Sequence, residues 1–137
     1  MPKPAAYAAS AVLLLHGIVH FIATGVYLEV LDLPAFQYTT TLLAGHLAVG
    51  DVGIRVFGAL WGVAAAGFAV SAGAMLREWE HWPVLLGGMC VLSLGLTGLS
   101  VTVAYGGFAM NLAILAALVL RQRVSPTTPL FSGFRGG

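Results

Sequence analysis

Four apolar stretches alternate along the chain with short segments that carry most of its charged residues. The stretches cover residues 5–28, 53–76, 83–104 and 106–120. Each is close to the roughly 20 residues that an α-helix needs to cross a hydrocarbon core of about 30 Å. The pattern predicts an all-α fold, a four-helix transmembrane bundle that forms one domain over residues 1–123. Residues 124–137 contain prolines and glycines instead of an apolar run, which predicts a flexible cytoplasmic tail.

The connections between these stretches differ in length. Residues 29–52 form the one sizeable loop, and the apolar part at 42–49 predicts a short amphipathic helix along the outer interface. The third connection, at residues 105–107, is very short. We therefore expect the third and fourth helices to be antiparallel neighbours.

Composition supports a membrane location. The chain is 59% hydrophobic and 8% charged, whereas soluble domains carry about 25% charged residues. The lipid bilayer is thus the expected partner, and a net charge of +1 gives no reason to propose nucleic acid. Basic residues lie at both ends and in the second loop, at Lys3, Arg77, Arg121, Arg123 and Arg135. The positive-inside rule therefore predicts that both termini are cytoplasmic, an N-in/C-in orientation.

Several functional classes lose support. Cys90 is the single cysteine, so the sequence excludes membrane thiol oxidoreductases that need a Cys-x-x-Cys pair. No carboxylate lies inside an apolar stretch, which disfavours proton-coupled exporters built around an embedded glutamate. No glycine-rich phosphate loop is present, so ATP-driven transport would need a partner chain.

The first helix carries a polar stripe within an apolar context. His16, His20, Thr24 and Tyr27 follow one another at spacings of four, four and three, which places them on one helical face. Ionisable residues within a membrane helix face protein or a cavity and indicate a functional site. The other helices offer Asp51, Arg55 and Asn111 at similar predicted depth. The candidate ligand-binding residues of an outward-facing polar pocket are His16, His20, Thr24, Tyr27, Asp51, Arg55 and Asn111.

Three interpretations of this stripe stay open. Its side chains could simply bond across helices and fix the packing. They could instead form a binding pocket in which Arg55 holds an anionic group beside His20. An ion pair with Asp51, four residues earlier, would offset the cost of placing the Arg55 charge in the membrane. A haem or transition-metal cofactor held by His16 and His20 is the less favoured interpretation. Zn²⁺ would need further ligands, and two histidines on one side could not be the two axial ligands of one haem.

Small residues are spaced for close helix contact. They are Gly58, Gly62 and Ala66 on the second helix and Gly95 and Gly98 on the third. Such spacing lets two helix backbones approach each other. It predicts packing within the monomer or, alternatively, a face for self-association.

Short motifs resemble a group of small bacterial four-helix membrane proteins without an assigned activity. They are His16-Gly17-x-x-His20, Gly58-Ala59-Leu60-Trp61, His81-Trp82-Pro83 and Gly107-x-x-x-Asn111. An Asp-x-Lys pair commonly precedes the glycine of the last motif in that group, but Val103 and Tyr105 occupy those positions here. The resemblance implies the four-helix fold and a multi-pass location in the bacterial inner membrane, and it implies no activity.

The sequence shows no complete catalytic set, and three functions remain as hypotheses. The chain is expected to be a structural or accessory subunit that packs against another membrane protein. It could alternatively bind or transport a small anionic or amphipathic molecule through the polar pocket. The third hypothesis is a metal- or haem-binding redox membrane protein.

Overall fold

Four long helices make up most of the structure. The computed structural model describes residues 3–124, with α1 at Lys3–Tyr27, α2 at Gly50–Leu76, α3 at Trp82–Leu99 and α4 at Val101–Val124. All four are long and apolar enough to cross a membrane. The predicted all-α four-helix bundle is confirmed, and the chain is a membrane protein. The predicted tail, at residues 124–137, lies outside the described residues except for Val124, where α4 ends.

The connection between α3 and α4 differs from the prediction. It was expected at residues 105–107, but α3 ends at Leu99 and α4 begins at Val101. The backbone is non-helical again at Ala104, with φ −116° and ψ 19°. Gly106 and Gly107, which suggested a turn, lie inside α4 because a membrane helix tolerates glycine where lipid offers no other partner to its backbone groups.

Hydrogen bonds between the helices give their relative directions. His20 bonds to Ser93 and Tyr27 to Ser100, both at a separation of 73 residues, so α1 and α3 run in the same direction. Ser10 near the start of α1 bonds to the carbonyl of Ala72 near the end of α2, so these two helices are antiparallel. Along α3 and α4, Gly98 lies near Phe108 and Gly87 near Leu118, so they are the expected antiparallel neighbours.

Helices α1 and α2 pack closely through glycine. A Cβ atom added at Gly58 would lie 2.6 Å from Cβ of Tyr27, and one added at Gly62 would lie 3.4 Å from the Thr24 side chain. These two residues therefore serve packing within the monomer. Ala66 is exposed, and a Cβ added at Gly95 would meet nothing within 4 Å.

The buried core lies among α1, α2 and α3, and α4 is peripheral. Over residues 101–123 of α4, only Asn111 and Leu118 are buried. Near the far end of this helix, the Arg121 guanidinium lies 4.5 Å from the centre of the Trp82 ring. Many large apolar side chains on all four helices are exposed on the bundle surface, as expected where lipid covers the protein.

The first loop contains a short β-hairpin in place of the predicted amphipathic helix. Strand β1 at Thr41–Leu42 pairs antiparallel with β2 at Leu47–Ala48. Threonines at 39–41 favour extended backbone, and Gly45 adopts φ 91° in the turn. The backbone N–H of Leu43 donates a 2.9 Å hydrogen bond to the carbonyl of Leu99, which docks the hairpin on the end of α3.

Candidate functional site

Four buried polar side chains from three helices form one hydrogen-bonded group, which we call the histidine cluster. It consists of His16 and His20 from α1, Ser93 from α3 and Asn111 from α4. His20, Ser93 and Asn111 are completely buried, and His16 is 7% exposed. The spacing of four residues on α1 brings the two imidazoles together, with ring centroids 4.6 Å apart.

The protonation of His20 follows from its partners. Its Nδ1 lies 2.9 Å from the backbone carbonyl oxygen of His16. A carbonyl oxygen only accepts, so Nδ1 carries the proton and donates. In a neutral ring, Nε2 then holds a lone pair and accepts the hydrogen bond that the Ser93 hydroxyl donates.

The remaining bonds of the histidine cluster are fixed in turn. Since the proton of Ser93 is used, its Oγ accepts from Nδ2 of Asn111 at 2.7 Å. Oδ1 of Asn111 therefore faces Nε2 of His16, which donates to it at 3.1 Å. A flipped Asn111 amide would force Ser93 to donate to Asn111 and His20 to carry two protons. This directional chain is the one arrangement that keeps both rings neutral.

One nitrogen of the histidine cluster remains without a hydrogen bond. Three of the four ring nitrogens of His16 and His20 are bonded as described. The exception is Nδ1 of His16, whose lone pair has no partner among residues 3–124. A pair of histidine ligands to one metal would have to break bonds within the cluster. Over the same described range, no group of three or more His, Cys, Asp or Glu side chains is placed to hold a metal ion.

A cavity of about 690 Å³ lies between α1 and α4, and we call it the lateral groove. Its wall is largely apolar, with Val12, Leu15 and Val19 on the α1 side and Met110 on the α4 side. These four side chains are also exposed on the surface of the bundle. The lateral groove therefore opens sideways, toward the region that lipid occupies. The residues with polar side-chain atoms in its lining are His16, His20, Trp61, Thr97 and Tyr105.

Trp61, which lines the lateral groove, has a second unsatisfied polar atom, and this atom is enclosed by the protein. Its side chain is 2% exposed, and its ring lies against His20 with centroids 4.8 Å apart. Nε1 of Trp61 is the one buried side-chain nitrogen or oxygen without a hydrogen-bond partner in the described part of the chain. A buried donor left unpaired costs about 1–3 kcal/mol.

Sequence reasoning did not identify Trp61 or Ser93 as site residues. Membrane tryptophans usually lie at the interfaces, whereas Trp61 lies near the middle of α2, and that unusual position is the signal that was available. Ser93 precedes Thr97 by one helical turn, and the hydroxyl of Thr97 donates to the carbonyl of Ser93 at 2.7 Å. Helical spacing from Thr97 would have indicated Ser93.

The outer part of the predicted stripe also faces protein. Tyr27 is buried, and its hydroxyl lies in hydrogen-bonding contact with Oγ of Ser100 at 3.0 Å. Thr24 donates to the backbone carbonyl of His20 at 3.2 Å. Both residues lie on the α1 face that carries His16 and His20, but their hydrogen bonds do not join the histidine cluster.

Asp51 and Arg55 are not brought to the histidine cluster. Arg55 donates a 2.9 Å hydrogen bond to Glu29, and these side chains are 60% and 49% exposed. The predicted Asp51–Arg55 ion pair is therefore wrong, because Glu29 in the first loop offers Arg55 a nearer carboxylate. Asp51 instead accepts a 2.8 Å hydrogen bond from the hydroxyl of Tyr38. That bond, with smaller contributions from desolvation and from the Asp51 and Glu29 charges, raises the pKa of Tyr38.

A second, smaller cavity of about 330 Å³ lies under the β-hairpin. Its wall carries hydroxyl groups from Tyr27, Thr39, Thr41, Ser100 and Thr102. Phe36 and Val103 border both this cavity and the lateral groove. No charged side chain lines either of them within the described residues.

The chain has no match in three comparisons with known proteins, which covered family models, curated sequences and solved structures.

Proposed function

We propose that this protein binds an amphipathic, lipid-soluble molecule in the lateral groove. The observation that carries this proposal is an apolar wall, open sideways, that is interrupted by His16, whose Nδ1 has no hydrogen-bond partner among residues 3–124. A polar group of a bound molecule would bond to this lone pair while its apolar part lies against the wall.

The size and chemistry of the lateral groove support the proposal. Binding pockets for small molecules typically have about 300–1,000 Å³, with apolar walls and a few polar groups that orient the ligand. The lateral groove, at about 690 Å³, has this character. Its sideways opening gives a molecule dissolved in the bilayer a direct path to His16 and Trp61. The prediction that Arg55 contacts an anionic group of the ligand is not part of this proposal, because Arg55 bonds to Glu29 outside the groove.

We further propose that the chain lies in the bacterial inner membrane with both termini in the cytoplasm. This orientation is supported by the positions of Lys3 and of Arg121 and Arg123 on the first and last helices of a four-span bundle. Membership of the small bacterial family that the motifs resemble is part of the same proposal. Fusions of a periplasmic and a cytoplasmic reporter to either terminus test the orientation.

Binding is tested with the protein in lipid nanodiscs and dibromostearyl alcohol as the probe, since bromine quenches tryptophan fluorescence on contact. We expect saturable quenching of wild-type emission that is absent in Trp61→Phe, whose remaining tryptophans are Trp79 and Trp82. A non-saturable response identical in the two proteins would contradict the proposal.

A pair of matched variants tests whether the probe occupies the lateral groove itself. Gly106 lines the groove, and a Cβ added there meets nothing within 4 Å, so Gly106→Leu fills the space without a backbone clash. Gly95→Leu adds the same side chain on exposed α3 surface, away from the groove. We expect Gly106→Leu to abolish saturable quenching and Gly95→Leu to preserve it.

The hypothesis of an accessory subunit remains a prediction, as does that of a metal- or haem-binding protein. One purification in mild detergent addresses both. A stoichiometric partner chain would support the first, and a metal or pigment bound in proportion to protein would support the second.

A further inference from the structure

The wall of the lateral groove offers a ligand a polar atom of defined character, Nδ1 of His16. Because this nitrogen is unprotonated, it can only accept a hydrogen bond. The accepting character of His16 follows from the directional bonds of the histidine cluster, which hold its proton on Nε2.

Nδ1 of His16 is also accessible. It has no hydrogen-bond partner among residues 3–124, yet it is not among the fully enclosed unpaired atoms, of which Trp61 Nε1 is the one described case. His16 lines the lateral groove. The groove is therefore the space from which a donor can reach this lone pair.

The charge of the groove narrows the ligand class further. No Lys, Arg, Asp or Glu side chain lines it within the described residues. An ionised carboxylate or phosphate would lie against the apolar wall of the groove without a counter-ion, which is strongly unfavourable. Such a group also has no proton to donate to a neutral His16.

We infer that the molecule bound in the lateral groove ends in an uncharged hydroxyl, as an alcohol or a phenol, that donates to Nδ1 of His16. The inference rests on the proposed function and names the ligand class of that same site.

Three probes with the same alkyl chain separate the possibilities: dodecanol, its methyl ether and dodecanoate. Each competes with dibromostearyl alcohol for quenching of Trp61 in nanodiscs. All three offer an accepting oxygen, but only the alcohol offers an uncharged donor. We expect dodecanol to compete about two- to tenfold more tightly than the other two, the range that corresponds to one net hydrogen bond.

Variants assign this preference to a residue. Trp61→Phe keeps an aromatic ring in the wall of the groove, and displacement of a spin-labelled alcohol from it is expected to show the same preference for dodecanol. The double variant His16→Phe with Asn111→Leu removes Nδ1 together with the bond that His16 makes to Asn111. We expect it to abolish the preference for the alcohol while it leaves the affinity of the ether unchanged.

A measurement on the unmodified protein does not depend on whether these variants fold. Nitrogen NMR of ¹⁵N-histidine-labelled protein should show a proton on Nε2 of His16 and on Nδ1 of His20. Dodecanol, but not its methyl ether, should shift the Nδ1 signal of His16. The inference is overturned if the ether or dodecanoate competes as tightly as the alcohol, or if the Nδ1 signal does not move. If none of the three probes competes, the proposed function fails, and the inference fails with it.

Discussion

The side-chain amide of Asn111 donates a 2.7 Å hydrogen bond to Oγ of Ser93, and both side chains are completely buried. This contact joins α4 to α3. Because Leu118 is the other buried side chain over residues 101–123, Asn111 carries a large share of the interaction that fixes α4 against the bundle.

Asn111→Leu should lower the free energy of unfolding by about 1–3 kcal/mol, because it leaves the Nε2–H of His16 buried without an acceptor. Unfolding titrations in mixed micelles measure the loss. The control is Met110→Leu, at a neighbouring position that is 40% exposed. Adding His16→Phe to Asn111→Leu should restore part of the loss, since no donor of the histidine cluster is then left unpaired. An equal loss in the Met110 control would contradict this role of Asn111.

Gly58→Ala should destabilise the bundle, because the new Cβ would lie 2.6 Å from Cβ of Tyr27. That atom is fixed to the α1 backbone, so the two helices have to move apart, at a cost of about 1–3 kcal/mol. Gly73→Ala on the same helix is the control, since its added Cβ meets nothing within 4 Å. Thermal unfolding in detergent should separate the two variants, and equal melting temperatures would show that α1 and α2 do not pack as described.

The hydroxyl of Tyr38 should titrate at a higher pH than an ordinary tyrosine, because its hydrogen bond to the Asp51 carboxylate raises its pKa. The folded pKa is above the unfolded value, so the stabilisation is complete below the unfolded pKa. It is lost as pH rises through the folded pKa. Phenolate absorbance, taken as the difference from Tyr38→Phe, follows this single group. Asp51→Asn should move the midpoint back down, and an unchanged midpoint would refute the assigned cause.

Arg55→Gln should lower the free energy of unfolding by less than about 1 kcal/mol, as is usual for the loss of an ion pair in contact with water. Its partner is Glu29, and both side chains are well exposed. The variant should also leave quenching of Trp61 by dibromostearyl alcohol unchanged. A lost binding signal in a folded Arg55→Gln protein would reinstate Arg55 as a ligand contact.

Local patterns in the sequence were sufficient for the helices and for three of the four residues of the histidine cluster. An apolar run of membrane length has few structural alternatives, so the four spans could be predicted. The spacing of His16 and His20 fixes their common face on any α-helix. Asn111 was assigned to the same site because it is a polar residue within an apolar run.

What the sequence could not provide was the pairing between distant segments. Arg55 has a carboxylate one turn away at Asp51, and only the path of the first loop brings Glu29 closer. The missing acceptor of Trp61 is likewise a property of the folded surroundings. The glycines at 106 and 107 led to a wrong prediction of where α3 connects to α4. The rules that link glycine to turns assume that water can bond to the exposed backbone, which does not hold inside a membrane.

The interruption of α4 at Ala104 has a consequence for selectivity. Residues 103–107 around this break form part of the wall of the lateral groove, and α4 has fewer buried side chains than α1, α2 or α3. Transmembrane helices respond to the thickness of the bilayer by changing their tilt. We expect α4 to tilt about Ala104 more readily than the packed helices do, so the width of the groove varies with membrane thickness. The lipid composition around the protein would then determine how wide a molecule can enter the lateral groove.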